Sequence, residues 1–231
     1  MSTSDSVAFL VEAAADGTHA KVLSLAQRMT PGRLLDAPSG AGALAAQLEK
    51  QGFVVTGLDI VQHPKLQLQP SQLTLADLNQ PLPFPNQSFD QVVSVEGIEH
   101  LESPPAFVRE LARVLVPGGH LLLSTPNVLN LASRWRWLFR GHHKHFTPDA
   151  QRQFSSGHIF AVDWVLLSRL LLASGFEIRS VTSNRWLRGW RERLLAPLVR
   201  WSMRRHPQAA EVLSDDLLFG QVLIVHAQKV R

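Results

Sequence analysis

The sequence predicts an α/β fold, a mostly parallel sheet with helices on both faces, and three observations predict it. Short apolar, β-branched runs alternate with longer helical patterns. The links between them are brief and rich in Gly, Pro and Asp, the residues that end helices and turn chains. The alternation stops near the end, where two strand-like runs flank residues 182–219 with one amphipathic segment between. That break points to an antiparallel last strand with a helical insertion before it.

Residues 18–29 suit a helix, with Val22, Leu25 and Ala26 or Met29 at helical spacing and Thr30-Pro-Gly32 as the stop. Arg33–Asp36 reads as a short buried strand, 40–51 as a helix ended by Gly52, and 53–58 as a second strand. Residues 73–76 make a weak third strand and 89–95 a strong fourth. Pro104 and Pro105 suit a helix start, whose first turn does not use their missing N–H groups. Pro117-Gly-Gly119 should break that helix before a fifth strand at 120–124. Residues 126–157 read as irregular or short-helical. Asp163 can cap a helix ending at Gly175, and 176–181 and 220–226 complete seven strands. One domain is expected over 1–231: a core at 18–183, an amphipathic insertion or cap at 184–219, and the last strand at 220–231.

The 231 residues are 45% apolar and 18% charged, enough for one substantial core. There is no Cys, which excludes disulfides, thiolate metal sites and thiol nucleophiles. The N-terminal residues show no basic-then-apolar leader and no run is long enough to span a bilayer, so a soluble cytoplasmic protein is expected. The net charge of +4 is local: Arg185, Arg188, Arg191, Arg193, Arg200, Arg204 and Arg205 crowd one segment against Glu192.

The first strand runs into Asp36-Ala-Pro-Ser-Gly-Ala-Gly42 and then a helix. Ligands of open α/β sheets bind at the strands' carboxyl ends, where this turn must lie. Gly40 and Gly42 let a ligand approach the backbone closely, and Asp59, closing the second strand, suits a ribose diol. The turn lacks the third glycine of a dinucleotide fingerprint and the Gly-Lys-Ser/Thr of an NTP cradle, so a sugar-bearing ligand without phosphates fits better.

This turn, Gly57-Leu-Asp59, Ala76-Asp-Leu78 with Pro81–Phe84, Ser88-Phe-Asp90, Glu96–Leu101 and Leu115–Leu121 occur in order. As a set they resemble the class I S-adenosylmethionine-dependent methyltransferases of the small-molecule type, over roughly residues 18–183 with 220–228 as the final strand. The resemblance implies a Rossmann-like seven-stranded sheet and S-adenosyl-L-methionine as cofactor. It implies that Asp36, Ala37, Ser39, Gly40 and Gly42 face the methionine end, that Asp59 and its neighbour Ile60 serve the ribose, and that Asp77 and Leu78 serve the adenine. Ala37 stands where the family has its first glycine, which keeps open a binding protein that has lost catalysis.

Methyl transfer to a hydroxyl needs alignment and a proton acceptor. Glu96 can touch the cofactor's amino-acid end or the substrate, and His100 is the first base candidate, His158 the second. Asn127, after the fifth strand, offers a donor and an acceptor to a small-molecule acceptor. Glu96-Gly-Ile-Glu-His100 is also similar to the metal site of small-RNA 3′-terminal 2′-O-methyltransferases. That likeness implies a divalent cation on two Glu and two His, with His142, His143, His145 or His158 as later partners. Many small-molecule members carry the same run without metal, so no metal is expected.

In 185–201, Leu187, Trp190, Leu194, Leu198 and Trp201 recur three or four apart, most arginines fall opposite, and Pro197 should kink or split the helix. Three readings compete: a cap whose apolar stripe packs on the core, a peripheral contact of 185–205 with the inner membrane surface that suits a lipid-linked acceptor, and single-stranded nucleic acid. The last is weakest, because no RNA-binding module appears elsewhere.

Overall fold

The computed structural model describes residues 14–146, 157–187, 189–204 and 212–230. The N-terminal residues 1–13 read for a leader, and Arg188 and Arg205 of the basic segment, lie outside these. Helix α1 (Thr18–Ala26) leads to β1 (Arg33–Asp36), α2 (Ala43–Lys50), β2 (Val54–Asp59), β3 (Leu73–Leu75) and β4 (Phe89–Val95). Then come α3 (Pro104–Val114), β5 (Leu115–Pro126), α4 (Leu131–Arg140), α5 (Trp164–Ala173), β6 (Phe176–Ser183), α6 (Trp190–Met203), α7 (Asp215–Phe219) and β7 (Val222–Lys229).

The strands form one sheet in the order β3-β2-β1-β4-β5-β7-β6. β1 to β5 are mutually parallel, and β7 runs antiparallel to both β5 and β6. The chain winds outward from β1 to β3, then restarts at β4 on the other side of β1. The strand order therefore switches between β1 and β4, where such sheets open a ligand crevice.

Successive strand residues point to opposite faces, and both faces are buried. Leu34, Val55, Leu122 and Ile224 pack with Val22, Ala26, Leu44 and Leu48 of α1 and α2. Their neighbours Leu35, Leu121, Leu123, Leu223 and Val225 pack on the other side with Phe107 and Leu111 of α3 and Leu167 and Leu171 of α5. A third cluster joins Leu131 of α4, Ala196 of α6, and Leu218 and Phe219 of α7. α5 starts where Asp163 caps it, its carboxylate accepting from Leu166 N at 2.8 Å.

Two expectations change and a third narrows. β5 begins at Leu115, directly after α3, because Leu115 already pairs with Phe89 ahead of a register shift, so Pro117-Gly-Gly119 lies within the strand. Residues 126–157, expected to be irregular or short-helical, take the helical form in α4, capped by Asn130 Oδ1 accepting from Ser133 N at 2.8 Å. Helix α6 runs unbroken through Pro197, held on both sides of it by Leu195, Ala196 and Val199 in the third cluster.

Candidate active site

The parallel registers place Asp36, Asp59, Asp77, Glu96 and Asn127 at the carboxyl edge of the sheet. Gly40 and Gly42 adopt positive φ, +53° and +75°, which lets the chain turn sharply from β1 into α2. A Cβ at Gly40 would meet nothing within 4 Å, so the turn's backbone faces open space there. Ser39 N donates to Leu58 O at 2.9 Å and Gly40 N to Asp59 Oδ2 at 2.8 Å, tying the turn to β2. Asp59 Oδ1 also accepts from Val61 N at 3.4 Å. A carboxylate has about four acceptor positions, so two remain for a diol. Beside it Ile60 holds an apolar side chain 59% exposed.

Asp36 is buried at the tip of β1, its Oδ2 without a hydrogen-bond partner. Burial, and then the charge of Asp59, pushes its carboxyl up to about 8. Ala37 is buried too, its N–H donating to Val93 O at 3.0 Å, and Ser39 Oγ is buried without a partner. Asp77 Oδ1 closes its own turn by accepting from Asn79 N at 2.9 Å and Asn79 Nδ2 at 3.1 Å, while Leu78 is buried in the core.

Glu96 sits at φ +48°, a conformation rare for a side-chain-bearing residue. Its Oε1 accepts from Ala15 N at 2.9 Å and Thr18 Oγ1 at 3.1 Å, so its carboxylate is committed to the start of α1. Asn127 is equally engaged. Its Nδ2 lies within hydrogen-bonding distance of the carbonyls of Asp216, Leu217 and Gly220, and its Oδ1 accepts from Leu129 N at 3.0 Å. It ties the tip of β5 to the end of α7.

The two histidine candidates meet. Ile159 N and Phe160 N both donate to Glu99 O at 3.0 Å, which lays the segment after 157 along the turn behind β4. The His100 and His158 rings then stand edge to face with centroids 4.8 Å apart. Glu99, fully buried, joins them, and the three offer ligand atoms within 4.8 Å of one another. Burial, more than the charge of Glu96, pushes Glu99 up to about 8, while its own backbone N–H and the Thr125 hydroxyl pull the other way. Burial, then the charges of His100 and His145, pushes His158 down to about 4. At neutral pH Asp36 and Glu99 are thus mainly protonated and His158 neutral.

Of the other histidines, His145 approaches His158 with ring centroids 6.3 Å apart, and Phe146 stands 5.2 Å from it. His143 Nδ1 is bonded to Ser133 Oγ at 3.0 Å. The sequence reading missed Thr125, whose Oγ1 donates to Glu99 Oε2 at 3.2 Å; its place at the end of β5 was the available signal.

A glycine turn, a strand-end carboxylate aimed at it and a strand-order switch define an open α/β sheet built to hold a nucleoside at its carboxyl edge. A family model described as "Methyltransferase domain" matches residues 12–181, and the chain belongs to that family. That family takes its methyl group from S-adenosyl-L-methionine. The chain is 32% identical over 117 residues to a ubiquinone biosynthesis O-methyltransferase of Vibrio vulnificus, covering 46% of this chain and 48% of that one. It is 31% identical over 158 residues to a Mycolicibacterium smegmatis protein named "Probable S-adenosylmethionine-dependent methyltransferase", covering 67% and 55%. The chain thus spans about half the length of the curated relatives it matches. Its fold is like that of an S-adenosylmethionine-dependent methyltransferase from Mesorhizobium loti (TM-score 0.56, 21% identity, 93% of this chain and 99% of that one). It is also like Haemonchus contortus phosphoethanolamine N-methyltransferase 2, solved with S-adenosyl-L-methionine (TM-score 0.59, 17% identity, 92% and 52%).

Proposed function

We propose that this chain methylates an oxygen atom of a small or lipid-linked acceptor. The observation that carries the reading is the pairing of two sites at one sheet edge: Asp59 with its Gly40 bond on the β1–β2 side, and His100 with His158 behind β4. S-adenosyl-L-methionine, when bound, supplies an activated sulfonium methyl.

The residues fit that cofactor. Asp59 accepts the ribose hydroxyls with the acceptor positions its backbone bonds leave over. Ile60 gives an apolar flank to a base, and Leu78 backs the adenine side with Asp77 at the turn. Asp36 and Ser39, whose buried oxygens lack partners, receive the polar methionine end beside the open backbone of Gly40, while Leu68 closes the turn at Gly42. A cation near Asp36 draws the proton off its carboxyl, because an opposite charge favours the ionised form. Glu96 acts by holding the α1 start against this loop, and Asn127 by holding α7.

His100 and His158 form the acceptor side. His158 is held neutral by burial, so it can accept a hydrogen bond from a hydroxyl, but the same burial weakens it as a proton acceptor, and the base role falls to His100 beside it. Glu99, protonated and bonded to Thr125, keeps the turn in place without putting a full negative charge there.

A second reading, a cation-dependent 2′-O-methyltransferase acting on RNA, has one observation in its favour, the Glu99–His100–His158 cluster. Transfer of labelled methyl from S-adenosyl-L-methionine to catechols, quinols and short RNA, with and without a chelator, separates the two. Chelator-resistant methylation of a catechol or quinol supports the first. Chelator-sensitive methylation of RNA alone replaces it with the second.

A further inference from the structure

The sequence points to residues 185–205 as the amphipathic element, and the capping reading requires its apolar stripe to face the core. The structure reverses the faces. Trp190, Leu194, Leu198 and Trp201 of α6 are each more than half exposed, and Leu195, Ala196 and Val199 make the inward contacts. At ~100° per residue the four outward side chains fall within about 80° of arc, a narrow apolar ridge. Arg193 and Arg204 stand exposed along one flank of it.

Helix α4 rests on the same third cluster through Leu131 and is likewise inverted, with Trp137 and Leu138 more than half exposed. It carries Arg136 and Arg140 on or near that surface. The acids nearby are largely engaged: Asp215 pairs with Arg200, and Asp216 accepts from Trp186 Nε1 at 3.0 Å and from Ser183 Oγ at 2.6 Å. Glu192, in the first turn of α6, packs against Gly189. The result is an aromatic and aliphatic surface with an excess of arginine. An exposed patch of this kind marks an interaction site, and tryptophan, leucine and arginine side by side are the composition of an interfacial helix.

We propose that α4 and α6 together form a platform that docks on an anionic phospholipid surface. The arginines meet the headgroup phosphates, and the tryptophan and leucine side chains enter the boundary between headgroups and acyl chains. The platform adjoins the site: α4 follows the tip of β5, and the loop after it brings His145 and Phe146 against His158. Docking therefore sets the acceptor side of the crevice at headgroup depth, where an amphiphilic acceptor presents its polar group. Docking rests on the surface alone and stands apart from the identity of the acceptor.

Co-sedimentation with vesicles of phosphatidylcholine alone, or mixed with phosphatidylglycerol, tests this without any turnover assay. The full chain is expected to pellet with the anionic vesicles and to be weakened by high salt. The triple substitution Trp137→Ser, Trp190→Ser, Leu194→Ser is expected to cut that binding about tenfold or more. Unchanged melting and unchanged S-adenosylhomocysteine affinity in the triple variant show that the fold survives. Failure of the wild-type chain to pellet, or equal pelleting by the variant, overturns the proposal. A wild-type oligomer that the variant turns into monomers would instead give the face to a second copy, and single-strand binding without vesicle binding would give it to nucleic acid; either result also overturns it.

Discussion

The two ends of the sheet treat polar groups differently. At the amino end, charges are exposed or fully answered. Arg33 Nη2 meets Asp90 Oδ1 at 3.1 Å while Arg33 N donates to Asp90 Oδ2 at 2.8 Å. Arg113 bonds Glu110, Leu82 O, Phe84 O and Asn86, and Lys229 Nζ reaches Leu115 O at 2.8 Å. Gln51 Oε1 and Gln91 Oε1 are exceptions there. At the carboxyl end, Asp36, Ser39, Ser94, Glu99, His145 and His158 each keep a buried polar atom without a hydrogen-bond partner. Unmade bonds cost stability, so their concentration at one edge marks where ligands complete the structure. The same edge holds the acids pushed up to about 8 and the histidines His145 and His158 pushed down to about 4.

Substitutions at the two ends should differ in kind. The largest effect is expected in catalysis: His100→Ala or His158→Ala should lower kcat by roughly 10²–10⁴-fold once an acceptor is in hand. S-adenosylhomocysteine affinity, measured by calorimetry, should change little. Loss of cofactor binding in either variant would move these histidines out of the acceptor side. Next comes Asp59→Ala, which removes two charge-assisted ribose bonds and the partner of Gly40 N–H. It should weaken S-adenosylhomocysteine by at least about 100-fold, on ~1.5–3 kcal/mol per bond to a charged group. Equal affinity in wild type and variant would remove the ribose assignment.

A smaller effect, of opposite sign, is expected for Asp36→Asn. The folded carboxyl titrates near 8 and the unfolded one near its ordinary value of 3.8, so the folded state holds the extra proton between them. The stability this group contributes is fully present below about pH 4 and is lost as pH rises through about 8. Replacing it with a neutral amide should therefore stabilise the cofactor-free protein at pH 8 and bring no gain at pH 4. Urea melts at the two pH values check this, and a pH-independent difference would contradict it. The smallest effect belongs to the amino end: Arg113→Ala should cost about 1 kcal/mol in the same melts and leave cofactor binding alone.

The meeting of the glycine turn with Asp59 was legible in the sequence because strand, turn, helix and acid are local and the parallel register brings their ends together. Asp36, Gly40 and Asp59 follow from that rule, and the sheet with its antiparallel last strand does too. The histidine pair was legible only as two separate candidates. Backbone bonds from Ile159 and Phe160 to Glu99 join them, and no spacing announces those. Residue type did not announce the bonds by which Glu96 meets the start of α1 and Asn127 meets α7, since chemistry suited to a ligand also suits a brace. The orientation of α6 was hidden for another reason. Periodicity shows that a stripe exists, but its covering depends on α4 and α7, which supply the floor under the opposite face.

The place of β7 has a consequence for biosynthesis. It lies between β5 and β6, with neighbours on both sides, although it is the latest strand to be made. A ribosome delivers β6 before the strand that must hold it, so β6 has nowhere to pair and the outer edge of β5 stays open until residues 222–229 emerge. Closure of the sheet is thereby deferred until β7 has emerged, and a nascent chain cut short before Val222 would carry an adhesive strand border in place of a finished wall.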